Sequence, residues 1–354
     1  MEKLFQYLAR ASASFVLVIL LSTVIILYIN ARPAIEEFGM HFIVDTRWAV
    51  DVPIEEVESS DKSSIPAVTT DSDTPQNHNI SAIASDVKFS SINKQSAPLN
   101  IDDEFADMDE EVFVNEEFST SLETNTKTVY GGAVPIIGSV FSIIIAMFFA
   151  VPVALGIAVF LSEIASERLS KPTSVAIELL AAIPSIIYGM WALFYFGPLI
   201  SKYVGGHSVS LLVAGLVLGV MVIPFMAALS RDAINTTPDV LKESAYSMGA
   251  TKFEVIKDII FPYAKAGIVG SVIVSFGRGI GETMAVAFVI GGVFEFAGNI
   301  TSPTNSIPVV LANNFSESSG MSMSVLYYLA LILFVLSFTI IFLAKYFLLR
   351  RKAS

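Results

Sequence analysis

An arginine and a glutamate stand four residues apart inside a long apolar stretch, at Arg278 and Glu282 of Ser275-Phe-Gly277-Arg278-Gly279-Ile-Gly281-Glu282-Thr283-Met284-Ala285. At bilayer depth each charge costs several kcal/mol unless it is paired or hydrated, so the two ask for a function. Read as one helix, the spacing puts both on a shared face, where they can form an ion pair. If that span begins near Ala266, Arg278 lies about 18 Å along it, near the midplane. A guanidinium there offers a fixed fork of donors to the oxygens of an anion. The plainer reading is a self-satisfied pair that fixes the helix in a bundle. Beside it, Gly277, Gly281 and Ala285 form a small-residue stripe that predicts close packing of another helix.

Few other residues compete for a chemical role. There is no cysteine, which excludes disulfides, thiolate nucleophiles and Cys-ligated zinc. His41, His78 and His207 are scattered without H-x3-H spacing and read as ordinary polar residues, so no metal site is expected. The loops show no nucleophile–base pair, which points away from an enzyme. The phosphate-cradling G-x4-G-K-[ST] loop is absent, so no cofactor or ATP site is expected in this chain. Glu178 falls about a turn inside an apolar stretch. A helix-end contact with basic loop residues is its plainer reading, a gating role its sharper one.

The elements that must position Arg278 and Glu282 are membrane helices. Of 354 residues, 54% are hydrophobic and 15% charged, with a mean hydropathy of +0.67, a balance that needs lipid as solvent. The net charge of -12 misleads, because 21 of the 33 Asp and Glu lie between Glu36 and Glu123, apart from the apolar bulk. Six stretches suit helices crossing roughly 30 Å of hydrocarbon, near 13–31, 135–161, 175–199, 208–229, 266–294 and 324–348. Pro33 occupies the place of a leader cleavage site, which favours an uncleaved anchor over a signal peptide. Pro152, Pro184 and Pro224 punctuate their spans and can kink them.

Basic residues near membrane ends stay on the cytoplasmic side. With the N terminus (1–12) inside, the inner segments hold Lys3, Arg10, Arg168, Lys171, Arg231, Lys242, Lys252, Lys257, Lys265, Lys345, Arg350, Arg351 and Lys352, while the short outer loops hold only Lys202. Both termini, the last being 350–354, are therefore expected in the cytoplasm and the loop 32–130 in the periplasm. That loop changes character along its length. Residues 59–100 are rich in Ser, Thr, Asn and Pro and read as disorder, whereas 102–117 are an acidic run interleaved with Phe105, Met108, Val112 and Phe113. The run reads as a solvated tether, or else as an amphipathic element that docks on a partner.

Between the fourth and fifth spans the segment 230–265 reads as two short helices joined at a glycine. Thr237 can cap the first, with Pro238 at its first position and Asp239 at its positive end; Gly249 ends it. Thr251 and Glu254 have capping-box spacing for the second, which Pro262 interrupts. Phe253, Ile256 and Ile260 give that helix an apolar side, and an amphipathic hairpin at a membrane surface wants a groove to fill. The run Glu243-Ser244-Ala245, then Gly249, then Ile259-x-Phe261-Pro262, resembles the EAA---G---------I-LP signature of ABC importer permeases, departing at Ser244 and Phe261. In that family the loop is the coupling helix seated in a cleft of the ATPase subunit. The resemblance implies that this chain couples to ATP hydrolysis without performing it, ATP and Mg being bound by a partner.

Gly277-Arg278-Gly-Ile-Gly281-Glu282-Thr283-Met284-Ala285-Val286 resembles the G-R-A-x-G-E-T-M-A-V stretch of the PstC-type phosphate permeases, with Gly279 in place of alanine. Ala176-Ile-Glu178-Leu-Leu-Ala-Ala-Ile-Pro184-Ser185-Ile-Ile-Tyr188-Gly189 is similar to another run of the same family. The resemblance covers about 130–349 plus the first span, and the segment 53–126 stands out from it as an insertion. It implies an all-α integral membrane protein of six helices of the MetI-like permease type, with 131–349 as the five-helix core. The implied partners are a PstA-type permease, an ATPase dimer, a periplasmic phosphate-binding protein and the lipid bilayer, with no nucleic acid. For phosphate, Arg278 would supply the fork, and Glu282 would temper the charge and accept a hydrogen bond from a protonated anion, which sulfate cannot offer. A sulfate or molybdate permease and an ion-coupled secondary carrier are the rival readings, and a part in phosphate signalling is compatible with any of them.

Overall fold

The structure, a computed structural model, describes residues 2–53 and 126–350. The Ser- and Thr-rich stretch 59–100, the acidic run 102–117, His78 and the interior of the 53–126 insertion lie outside the described residues, as does the tail 351–354. The chain divides into two units, Met1–Val50 with Val129–Ser354, and Asp51–Thr128. Around the second unit's two ends, strands β1 (Val50–Pro53) and β2 (Thr126–Val129) pair, and Thr128 Oγ1 donates to Asp51 Oδ1 at 2.6 Å. Their β-branched residues Val50, Val52, Thr126, Thr128 and Val129 suit a ladder. Among the described residues this small sheet is the one pair of strands in an otherwise helical fold.

The first unit consists of helices α1 (Glu2–Phe38), α2 (Ala133–Val159), α3 (Glu167–Ala181), α4 (Ser185–Trp191), α5 (Gly197–Val204), α6 (Leu211–Asn235), α7 (Asp239–Ser247), α8 (Lys252–Glu254), α9 (Phe261–Ile280), α10 (Met284–Ala287), α11 (Ile307–Asn314) and α12 (Met321–Arg350). Wider π turns extend α2 over Phe160–Ile164, join α4 to α5 over Ala192–Phe196 and join α8 to α9 over Val255–Ile260. Among the described residues, five stretches are long and apolar enough to cross a membrane: Phe5–Ile43, Ala133–Ile164, Leu211–Asn235, Lys252–Ile280 and Met321–Tyr346. Glu167–Ala181 with Ser185–Val204 makes a sixth if that pair, bent by 89°, is one span.

Two of the expected spans are thereby corrected. The third is broken at Pro184, which takes φ -57° and ψ 135° and has no N–H to continue the helix. The Tyr188 hydroxyl donates to the Leu180 carbonyl at 2.9 Å, a second bond beside that from Ile183 N at 3.3 Å, and so ties the two sides of the break together. The fifth stops at Ile280, with Gly281 at φ -92° and ψ 3°, and apart from the four residues of α10 the chain to 306 is irregular. Irregular backbone survives at such depth only where other protein groups satisfy it. Here Thr304 N donates to Ile290 O at 3.0 Å, while Ser210, Leu211 and Leu212 at the start of α6 donate to Val289, Ser302 and Ile300 carbonyls at 2.8–3.1 Å. One set of contacts thus satisfies the orphan donors of a helix start and the acceptors of the irregular segment together.

Helix α2 is the spine. Ala146, Ala150, Ala154 and Ala158 recur every four residues and are fully buried on one face. Opposite, a Cβ on Gly215 would lie 2.7 Å from Ile145 Cβ, and one on Gly219 would lie 3.0 Å from the Ala146 carbonyl oxygen. Backbones this close are the usual solution to helix packing in lipid, where small residues rather than the hydrophobic effect bring helices together. Three apolar clusters follow α2 along its length: one at Ile136 with α1, α11 and α12, a central one over Ile143–Ala154, and one at Ala158 with the 239–264 hairpin. In the first, Trp48 stacks on Phe294 at 4.6 Å and Phe42 lies 4.8 Å from Tyr328, fastening the irregular segment to the ends of α1 and α12.

Candidate functional site

Helix α9 carries Arg278 in its last turn, and the end of that helix removes the shared face expected for Arg278 and Glu282. Glu282 lies beyond the end, its N–H bonded to Gly279 O at 3.2 Å. No ion pair joins the two among the described residues. Instead each charge has its own surroundings. Glu282 Oε1 accepts from the Ala285 N–H at 3.2 Å, at the start of α10. The exposed Arg278 guanidinium stands 5.5 Å from the ring centroid of Phe225 on α6, a cation–π contact of about 0.5–2 kcal/mol. Tyr188, at the bend of the third span, lies within the field of the same guanidinium. Among the described residues the Arg278 guanidinium thus meets an aromatic ring and forms no ion pair.

The stripe Gly277, Gly281, Ala285 is likewise divided by the helix end. A Cβ on Gly277 would meet Ile341 of α12 at 3.4 Å, Gly281 is exposed beyond α9, and Ala285 is buried, its Cα 3.0 Å from where a Cβ on Gly189 would lie. Behind Glu282, the buried Ser139, Ser142 and Ser306 line a small cavity with Gly279 and Glu282, its other walls being Leu218, Ile280, Val286 and Pro308. Ser139 Oγ donates to Pro135 O and accepts from Ile307 N, both at 2.8 Å. Neither Phe225 nor these serines stood out in the sequence. The only available signal was a hydroxyl in an otherwise apolar span.

Away from this site, Glu178 makes the expected helix-end contact, with Arg231 at 3.2 Å. His41 lies on the short turn Gly39–Ile43, and the His207 N–H donates to Thr301 O. No group of three potential ligands able to hold a metal occurs among the described residues.

The hairpin is built as its sequence requires, with three corrections. Gly249 takes φ +87°, its N–H bonds Tyr246 O at 2.9 Å and the Ala250 N–H bonds Ala245 O at 3.1 Å, a glycine-terminated helix end. Thr251 and Glu254 form the full capping box. Thr237 does not cap α7: Pro238 holds the cap position, and Thr237 Oγ1 is buried with no partner among the described residues. Pro262 does not interrupt the second helix, because the π turn ahead of it, with Phe261 N bonded to Ile256 O, accommodates a residue without an N–H. Phe253 is 71% exposed and does not share the apolar side that Val255, Ile256 and Ile260 bury. Ala245 is buried in that same cluster, Ile259 packs at its edge, and Glu243 and Pro262 are exposed. Lys242 reaches back to Glu163 on the π turn after α2 at 2.7 Å, fastening the hairpin to the spine. The outer surface carries Val240, Met248 and Phe253, all strongly exposed.

The family model described as binding-protein-dependent transport system inner membrane component matches residues 133–354. The phosphate transport system permease protein PstC of Haemophilus influenzae is 43% identical over 236 residues, 61% of this chain and 75% of that protein. The protein of the same name from Mesorhizobium japonicum is 40% identical over 258 residues, 67% and 79% of the two chains. A solved inward-facing MetNI methionine ABC transporter shares the fold, with TM-score 0.50 and 20% identity over 61% of this chain and 94% of that one. The chain belongs to the binding-protein-dependent transport system inner membrane component family, among its PstC-type permeases.

Proposed function

We propose that this chain is the permease subunit through which an ATP-driven importer moves inorganic phosphate across the bacterial inner membrane. The observation that carries the proposal is the Arg278 fork, bonded to no carboxylate among the described residues and presented at the broken end of a membrane helix. An anion arriving there finds donors it need not compete for, with Glu282 held apart by the start of α10. A fork already closed on Glu282 would have to be opened at the expense of that pair. Phosphate is favoured over sulfate or molybdate because the two PstC proteins, 43% and 40% identical, carry phosphate transport in their names.

The subunit itself is non-catalytic. In our reading, Val240, Met248 and Phe253 on the hairpin seat in an ATPase subunit, which holds ATP and Mg. A PstA-type permease, an ATPase dimer and a periplasmic phosphate-binding protein complete the machine. The basic residues around the hairpin support placing it, with both termini, in the cytoplasm and the loop 32–130 in the periplasm. ATP-driven movement of the ATPases then reaches the site through the packed path from the hairpin to α2 and α9. The test is labelled-phosphate uptake by Arg278→Gln co-expressed with its partners. Uptake should be lost while the assembled complex remains, and uptake at the wild-type rate refutes the assignment.

A further inference from the structure

We propose that Ser306 positions Glu282 through one buried water, a role that rests on the phosphate-permease reading of Glu282. Ser306 is 2% exposed, and its Oγ has no hydrogen-bond partner among the described residues. A buried hydroxyl without a partner is costly and asks for an explanation. The same Oγ belongs to a residue that lines the cavity shared by Glu282, Ser139 and Ser142.

Size decides what that cavity takes. Its volume is about 10 Å³, and a single water needs roughly 10–15 Å³ on that measure. Phosphate, with four oxygens around phosphorus, does not fit that volume. A water also needs two to four polar partners. Ser306 and Glu282, which both line it, can supply two, and among the described residues the Glu282 carboxylate is engaged through Oε1 alone, with Ala285 N. Ser139 and Ser142 spend their hydroxyl protons on backbone carbonyls, so Ser306 is the lining serine whose O–H is uncommitted, while Ser142 Oγ can still accept from the water. A water bridge serves nearly as well as a direct bond, and this one ties Glu282 to the residue just ahead of α11.

Ser275 provides the contrast. It is fully buried and its Oγ is also unpartnered, but it is not among the residues lining this cavity. Ser306→Ala, Ser275→Ala and Glu282→Gln are to be compared in the complete importer for initial rates across phosphate concentrations, with the amount of assembled complex measured in parallel. We expect Ser306→Ala to lower the maximal rate about five-fold, the worth of roughly one hydrogen bond, with KM and assembly unchanged. Ser275→Ala should transport as wild type. A high-resolution experimental structure of the complex should show one water within bonding distance of Ser306 Oγ and Glu282.

Wild-type transport by Ser306→Ala, or a map in which Ser306 Oγ bonds only protein atoms, overturns the proposal. The map decides the matter even if the variant fails to assemble. If Glu282→Gln itself transports normally, the underlying reading of Glu282 has failed as well. If Glu282→Gln is inactive and Ser306→Ala is silent, only the positioning role is lost.

Discussion

The Lys242–Glu163 pair gives the coupling reading its most quantitative test. The two side chains meet at 2.7 Å and are only 16% and 9% exposed, so this is a largely desolvated ion pair between α7 and the end of the spine helix. Removing one member of a buried pair leaves the other charge unpaired, at a cost of about 3–5 kcal/mol when burial is complete. Glu163, the deeper partner, has no second cation among the described ion pairs, so Lys242→Met should destabilise by about 2–3 kcal/mol after discounting for the remaining exposure. Glu163→Gln should cost less, about 1–2 kcal/mol, because Lys242 can move toward solvent and Asp239 lies 3.7 Å away. The double variant should then be less destabilised than the sum of the singles by at least about 1 kcal/mol.

The assay is a double-mutant cycle on the purified complex by denaturant or thermal unfolding, with ATP hydrolysis and phosphate uptake measured on the same preparations in vesicles. Because the pair joins the hairpin to the helix that packs the site, Lys242→Met should lower uptake more than ATP hydrolysis. Additive effects within about 0.5 kcal/mol, or equal losses of hydrolysis and uptake, would refute the view that this pair transmits motion.

The remaining predictions concern local geometry. A Cβ on Gly138 would overlap the Asn305 carbonyl oxygen, a backbone atom that no rotamer change can move, so Gly138→Ala should sharply reduce assembled complex on membrane blots. Thr251→Ala removes one half of the capping box and should cost about 1 kcal/mol, with Thr251→Ser restoring most of it in the same unfolding assay.

The parts of the fold readable from sequence are those in which local chemistry and tertiary demand agree. Ala146, Ala150, Ala154 and Ala158 lie in a helix that is apolar throughout, and the Thr251–Glu254 box forms as its spacing requires. The end of α9 was hidden for the opposite reason. Met284 to Ile290 stay apolar, so hydropathy continues smoothly past Ile280 while the backbone does not. A helix supplies its own hydrogen bonds, whereas the segment after Gly281 receives bonds from Ser210, Leu211 and Leu212 and closes another on itself from Thr304 to Ile290, which no local pattern announces. The local hints were Gly281 and the pair Gly291 and Gly292, at φ +105° and +69°, where other residues are strained.

That hidden break alters the chemistry of the site. On a continuous helix, residues 278 and 282 would face each other one turn apart, and the cheapest state at bilayer depth would be their mutual ion pair, which blocks the fork. Breaking the helix between them gives Glu282 a backbone donor at Ala285 and leaves Arg278 against Phe225. A cation–π contact steadies the guanidinium without neutralising its charge, as a carboxylate partner would. In the proposed transport role, the irregular backbone that costs the fold a helical turn therefore spares Arg278 an ion pair with which an anion would have to compete.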